Sequence, residues 1–184
     1  MSRLLVTAIL VAAALAPVQA QTVRVVAVAD FENISVDSGL IPSAHLSALL
    51  HWLLQQQGGD LRVVAADSVR TALRARGYTV ADLVSPTRVA EIAQAVGADW
   101  VVTGRWTHLR IISRSVPEDP TTPSARDGDG FAVADVEIRV LEASTRRRIF
   151  EGRFSGRAAG ADYGALMLAA TEALRGVAAT IARL

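Results

Sequence analysis

Apolar and polar positions alternate between two rhythms along this chain, and the rhythm changes element by element. Val23 to Phe31, VRVVAVADF, is almost unbroken in β-branched and small apolar residues, which predicts a central strand covered on both faces. After a polar loop containing Gly39, Pro42 and Ser43 open a segment in which Leu46, Leu49, Leu50, Leu53 and Leu54 recur at helical spacing. Gly58 and Gly59 end that helix. Leu61 to Ala65 predicts a short strand. Asp67 is then the expected N-cap of a helix over Ser68 to Arg76, closed by Gly77. Ser85-Pro86 opens a further helix with apolar face Val89, Ile92, Ala93 and Val96, closed by Gly97.

The second half changes to strands. Trp100 to Ile112 predicts a long one, and residues 114–130, rich in Pro, Ser, Asp and Gly, predict a flexible loop. Phe131 to Glu142 and Arg148 to Ser155 pair as a hairpin around Ser144, Thr145 and Arg146. One register sets Val136 against Phe154 and Val140 against Phe150 on one face, and Glu137 against Arg153 and Arg139 against Glu151 on the other. A slip of one residue would reverse all four pairs, so the pattern selects the register. A last helix from about Asp162 aligns Leu166, Ala170, Leu174, Val177 and Ile181. The order β-α-β-α-α-β-β-β-α predicts a single α/β domain with a mixed five-stranded sheet and flanking helices.

Residues 1–20 stand apart. Arg3, the apolar run Leu4 to Leu15, the helix breaker Pro17 and the small residues Val18 and Ala20 form the pattern of a cleaved signal peptide. The expected mature domain is residues 21–184, exported to the periplasm. No later segment is expected to reach the roughly 20 apolar residues of a membrane span, and no transmembrane segment is expected after cleavage. With no cysteine in the sequence, neither disulfides nor an amino-terminal lipid-bearing cysteine is expected.

Composition narrows the chemistry. Lysine is absent, so a phosphate-loop lysine, a Schiff-base lysine and a Ser–Lys dyad are excluded. Nineteen arginines against eighteen acidic residues leave a formal net charge of +1, which argues against nucleic acid as a partner.

Asp30, Glu32 and Asn33 lie where open sheets place ligands, beyond the carboxyl end of the first strand. No glycine-rich turn follows and no histidine or lysine is near, so a structural role is the expected one. Asp30 is expected to cap backbone amides there, with Phe31 packed beneath. Asp37-Ser38-Gly39 matches a short aspartic-protease signature, but that chemistry needs a second copy and an all-β fold. His45 and His51 are six residues apart on one helix and cannot share a metal from one face. Solvent-facing or boundary positions are expected for both.

Glu118, Asp119, Asp127 and Asp129 form an acidic loop without the ligand spacing of an EF-hand. GRFSG, Gly152 to Gly156, has its serine misplaced for a nucleophile elbow. Arg146, Arg147 and Arg148 are expected to be a solvated turn. Trp52, Trp100 and Trp106 are expected in or at the edge of the core, with Arg105, Trp106 and His108 as a candidate partner-facing patch.

VAVADFEN, GADWVVTGRW and ADVEIRVLEASTRRRIFEGRF occur in that order, and together they resemble an exported α/β domain family. It includes the curli secretion subunit CsgG, the TolB amino-terminal domain and small envelope relatives. The resemblance spans roughly Val23 to Leu184. It implies an anticodon-binding-domain-like fold, a structural end to the first strand at Asp30 to Asn33, a helix-to-strand joint bracketed by Gly97 and Gly104, and protein–protein assembly at the envelope. The chain departs from CsgG in lacking the lipid-bearing cysteine and the alternating strands from which pore hairpins are built. It also reads Glu142-Ala-Ser-Thr145-Arg146 where the family has Asp-x-x-Thr-Gly, which places an arginine at a turn position suited to φ > 0.

The expected function is therefore a non-enzymatic periplasmic assembly or accessory factor, with an envelope protein partner or self-association, and no catalytic residue, cofactor or metal. The alternatives are a small-ligand or peptide module at the crevice beside Asp30 and Glu32, and a hydrolase built on those carboxylates.

Overall fold

The computed structural model describes residues 23–35, 41–113 and 130–184. The signal-peptide pattern, Asp37-Ser38-Gly39 and the acidic loop with Glu118, Asp119, Asp127 and Asp129 lie outside the described residues.

Strand β1 is Arg24–Val28, shorter than the apolar run that predicts it. Asp30 ends the run, because its side chain is bound by an arginine on a neighbouring helix. Phe31 then turns into the core, and Glu32–Asn33 rejoin the sheet as the two-residue strand β2. Helix α1 is Ser43–Gln57, β3 is Leu61–Val63, and α2 is Ala66–Ala75. A 3-10 helix over Val80–Val84 leads into α3, Pro86–Val96. Three long elements follow: β4, Trp100–Ser113, β5, Gly130–Glu142, and β6, Arg147–Ala159. Helix α4, Tyr163–Ile181, closes the order.

The sheet has six strands rather than five, because β2 pairs with β4 beside the main path β3-β1-β4-β5-β6. β1 is parallel to β3 and β4, whereas β4, β5 and β6 are antiparallel. All four predicted hairpin pairs are present: Val136 with Phe154, Glu137 with Arg153, Arg139 with Glu151, and Val140 with Phe150. Asp67 is not an N-cap. Helix α2 begins at Ala66, two residues before the expected start at Ser68, and Asp67 sits in its first turn with an oxygen 3.0 Å from Arg70. Asp162 does cap α4, accepting from the Ala165 amide at 2.7 Å.

Strand alternation divides the core in two. On one face Val26, Val28, Val102, Trp106, Val136 and Val140 pack beneath α1 and α4. Leu166, Ala170, Leu174, Val177 and Ile181 are all buried there, as their spacing predicts. Helix α4 is long and apolar enough to cross a membrane by length and composition, contrary to the expectation that no later segment would be, and half of that stretch is buried in the fold. On the other face Ala27, Ala29, Val101 and Leu141 pack beneath α2, the 3-10 helix and α3. Gly97 caps α3 in the left-handed conformation and Gly104 lies inside β4, so the two flank the helix-to-strand joint. An added Cβ at Gly104 would stand 2.6 Å from the Glu137 carbonyl oxygen.

Candidate functional site

The expected patch of Arg105, Trp106 and His108 is divided by the sheet. Neighbours in a strand point to opposite faces, so Trp106 turns inward and is fully buried, with its ring centroid 6.4 Å from that of Phe31. Arg105 and His108, three apart, would also oppose each other in a regular strand. A bulge between Trp106 and His108 shifts the register by one residue and returns both to the same exposed face. Trp100 is buried as expected, whereas Trp52 is 52% exposed on α1.

That face of β4, β5 and β6 carries a lattice of ion pairs, and the 3-10 helix and the start of α3 reach over its border at Arg105, Glu137 and Arg139. Arg105 Nε lies 2.7 Å from Glu137 Oε2, and Arg153 binds the other oxygen of the same carboxylate. Arg139 Nε lies 2.8 Å from Glu151 Oε1, with Arg148 on the second oxygen. His108 Nδ1 stands 3.0 Å from Asp135 Oδ2, and the Arg157 guanidinium lies over the Phe131 ring. Hydrogen bonds from Arg153 and then Arg105 hold the Glu137 carboxyl below the ordinary glutamate value, and Arg139 does the same for Glu151. Glu137 in turn raises Arg153. Every carboxylate in this lattice meets a cationic or ionisable partner across a strand boundary.

Beside the lattice, Val80, Leu83 and Val84 of the 3-10 helix overhang β4 and β5. They enclose a pocket of about 50 Å³ with Glu32, Thr103, Arg105, Glu137 and Arg139. Val84 is 68% exposed at its lip. Val80 to Val84 lie between two patterned helices and carry no helical stripe of their own. The signal was an apolar Leu83-Val84 pair immediately before the Ser85-Pro86 helix start.

Asp30, Glu32 and Asn33 do not converge. Asp30 takes a two-pronged contact from Arg70, Nε at 2.8 Å and Nη2 at 3.0 Å, and among the described residues it caps no backbone amide. This contact raises the Arg70 pKa against the opposing effect of its burial. Asn33 Oδ1 accepts from the Ser35 hydroxyl at 2.6 Å and the Ser35 amide at 3.1 Å. Glu32, whose backbone pairs with Arg105, is the member that reaches the pocket. His45 is exposed and His51 half-buried, its pKa lowered by burial, with Nε2 3.0 Å from Gln55 Nε2. Among the described residues no group of three His, Cys, Asp or Glu side chains is placed to hold a metal ion. Gly152 to Gly156 lies within β6 and forms no strand-to-helix elbow.

No protein-family model matches the chain, and no curated protein matches it by sequence. Solved structures do match its fold. Lipoprotein GNA1162 from Neisseria meningitidis aligns with TM-score 0.58 at 18% identity, over 88% of this chain and 99% of that one. The hypothetical protein CT253 from Chlamydia trachomatis aligns with TM-score 0.55 at 15% identity, over 86% of this chain and 95% of that one. A PelC dodecamer from Paraburkholderia phytofirmans aligns with TM-score 0.50 at 17% identity, over 88% of each chain. At these identities the likeness is one of fold.

Proposed function

We propose that this protein is a non-enzymatic accessory or assembly factor of the bacterial envelope, of the CsgG and TolB amino-terminal kind, that works by binding other proteins through the charged face of β4, β5 and β6. The observation that carries this reading is the small pocket set into a broad face of ordered ion pairs. The pocket on the Glu137 side of Val84 holds about 50 Å³, far below the roughly 300 Å³ of small-molecule sites. It adjoins a groove of about 410 Å³, lined by Leu83, Val84, Pro86, Arg139 and Arg148, that widens the same charged surface. The pocket suits one inserted side chain of a protein partner, with Arg105, Glu137 and Arg139 as the polar surround. The engagement of Asp30 by Arg70 supports the absence of catalysis and weakens the crevice-ligand alternative. The export pattern at residues 1–20 and the fold shared with a neisserial lipoprotein and a dodecameric protein support an envelope role.

Site-specific photocrosslinking in the host tests it. A photoreactive residue at Arg105 or His108 is expected to give a discrete adduct with an envelope protein. The same residue at Leu168, exposed on the opposite side of the sheet, is expected to give none. Equal labelling from both faces, or labelling only from Leu168, would overturn the assignment of this face.

A further inference from the structure

Strand β6 is the outer edge of the sheet, and its free side is only partly covered. The Arg157 amide points away from β5 and donates to Glu172 of α4 at 2.8 Å. In an antiparallel ladder alternate residues direct both backbone groups to the same side. Ser155, Arg153 and Glu151 therefore present their N–H and C=O groups outward as well, and no described residue takes them. At the other end Ile149 is an extra residue between Arg148 and Phe150, where the register with β5 shifts. Between these two limits lies a regular, unpaired stretch, Phe150 to Phe154.

We infer that this stretch pairs antiparallel with the same stretch of a second copy of this chain, with Gly152 opposite Gly152. The register follows from the side chains. With Gly152 at the two-fold axis, Glu151 stands opposite the second copy's Arg153, and Arg153 opposite its Glu151. The intrachain ion pairs then continue without interruption across the seam, Arg105, Glu137 and Arg153 running into Glu151 and Arg139 of the second copy. On the other face Phe150 meets the second copy's Phe154. Both rings are half-buried within one chain, with centroids 6.1 Å apart, and they extend the first core across the junction. Moving the axis to Glu151 or Arg153 sets like charges directly opposite each other, which destabilises a cross-strand pair. Moving it to Phe154 places Arg157, whose amide Glu172 already occupies, inside the pairing. Edge strands left open in this way are templates for strand addition, and here the charge order specifies the chain itself as the partner. This inference concerns the edge of the sheet and does not rest on the proposed use of its face.

Light-scattering mass of the purified chain, measured across a concentration series, tests it with three variants. The wild-type chain is expected to shift from one chain mass to two as concentration rises. Glu151→Arg and Arg153→Glu each place like charges opposite at both symmetric positions. Each alone is expected to weaken the dimer by about tenfold or more. Mixed in equal amounts they restore both opposite-charge pairs, so the mixture is expected to regain the double mass. Arg153→Pro removes an outward N–H that β5 does not use and is expected to give a folded monomer, checked by circular dichroism. A wild-type chain that stays monomeric, single charge variants that dimerise as well as wild type, or a mixture that fails to recover would each overturn the pairing. Photocrosslinking from Arg105 or His108 by a strictly monomeric chain would sink this inference and leave the proposed function standing.

Discussion

Arg146 is the one non-glycine residue with positive φ among the described residues, at 55°. The family pattern that the chain resembles has glycine at this turn position, so the resemblance, and not the residue type, made this backbone detail legible without coordinates. An L side chain in that region costs about 1–2 kcal/mol, and a glycine gives part of it back by loosening the unfolded chain. Arg146→Gly is therefore expected to stabilise the fold by about 0.5 kcal/mol in urea denaturation. The contact at Asp30 was less legible, because its partner Arg70 is 40 residues away and the helix that carries it could be placed but not oriented. Asp30→Asn is expected to cost about 1 kcal/mol, as a partly exposed two-pronged pair loses its charge. Glu32→Gln, with no ion pair among the described residues, is expected to change stability by less than about 0.5 kcal/mol. The same urea titration reads both. A loss of a measurable hydrolytic activity in either folded variant would instead revive the carboxylates as chemistry.

Among the elements, the β5–β6 hairpin was the most readable, because charge and apolarity alternate together and each checks the other. Strand β4 was harder. Its nearly continuous apolar run hides the bulge before His108, and nothing in the residue types marks where a strand will take an extra residue. The ion pairs that this alternation creates make the hairpin acid-sensitive. Glu137 and Glu151 are held below the ordinary value of 4.5, so the folded chain binds fewer protons than the unfolded chain as pH falls through that range. Their contribution is complete above the ordinary value and is lost as pH drops through the depressed ones. Urea midpoints followed from neutrality to about pH 3 are expected to fall less steeply for the Glu137→Gln, Glu151→Gln double variant than for wild type. The contact between α4 and β6 is unforgiving in a different way. A Cβ added at Gly156 would lie 1.9 Å from the Ala169 carbonyl oxygen and 2.8 Å from the Ala173 nitrogen, both backbone atoms. Gly156→Ala is expected to cost about 3 kcal/mol, near the upper end of overpacking, because neither backbone atom can rotate away.

For the whole molecule, class and element order were readable because each helix has its stripe and each strand its rhythm. The division into two apolar layers was not, since it depends on which face each helix chooses. Trp100 and Trp106 report on the layer under α1 and α4, while Tyr78 packs against the other and donates to Glu91 at 2.6 Å. If the two layers belong to one domain, tryptophan emission, tyrosine absorbance and far-ultraviolet circular dichroism share a single urea midpoint. Separate midpoints would divide the chain into two folding units. Trp52, the exposed one, is expected to supply most of the quencher-accessible emission, and Trp52→Phe to remove it.

Helix α4 lies behind every strand in chain order, yet it roofs the larger apolar layer. A chain threaded head first through a narrow channel delivers all six strands before it delivers α4. Until the segment around Leu166 to Ile181 has emerged, that broad side of the sheet is covered by α1 alone. In any such passage the larger layer is completed only by the rear of the chain, after the strands and α1 have emerged.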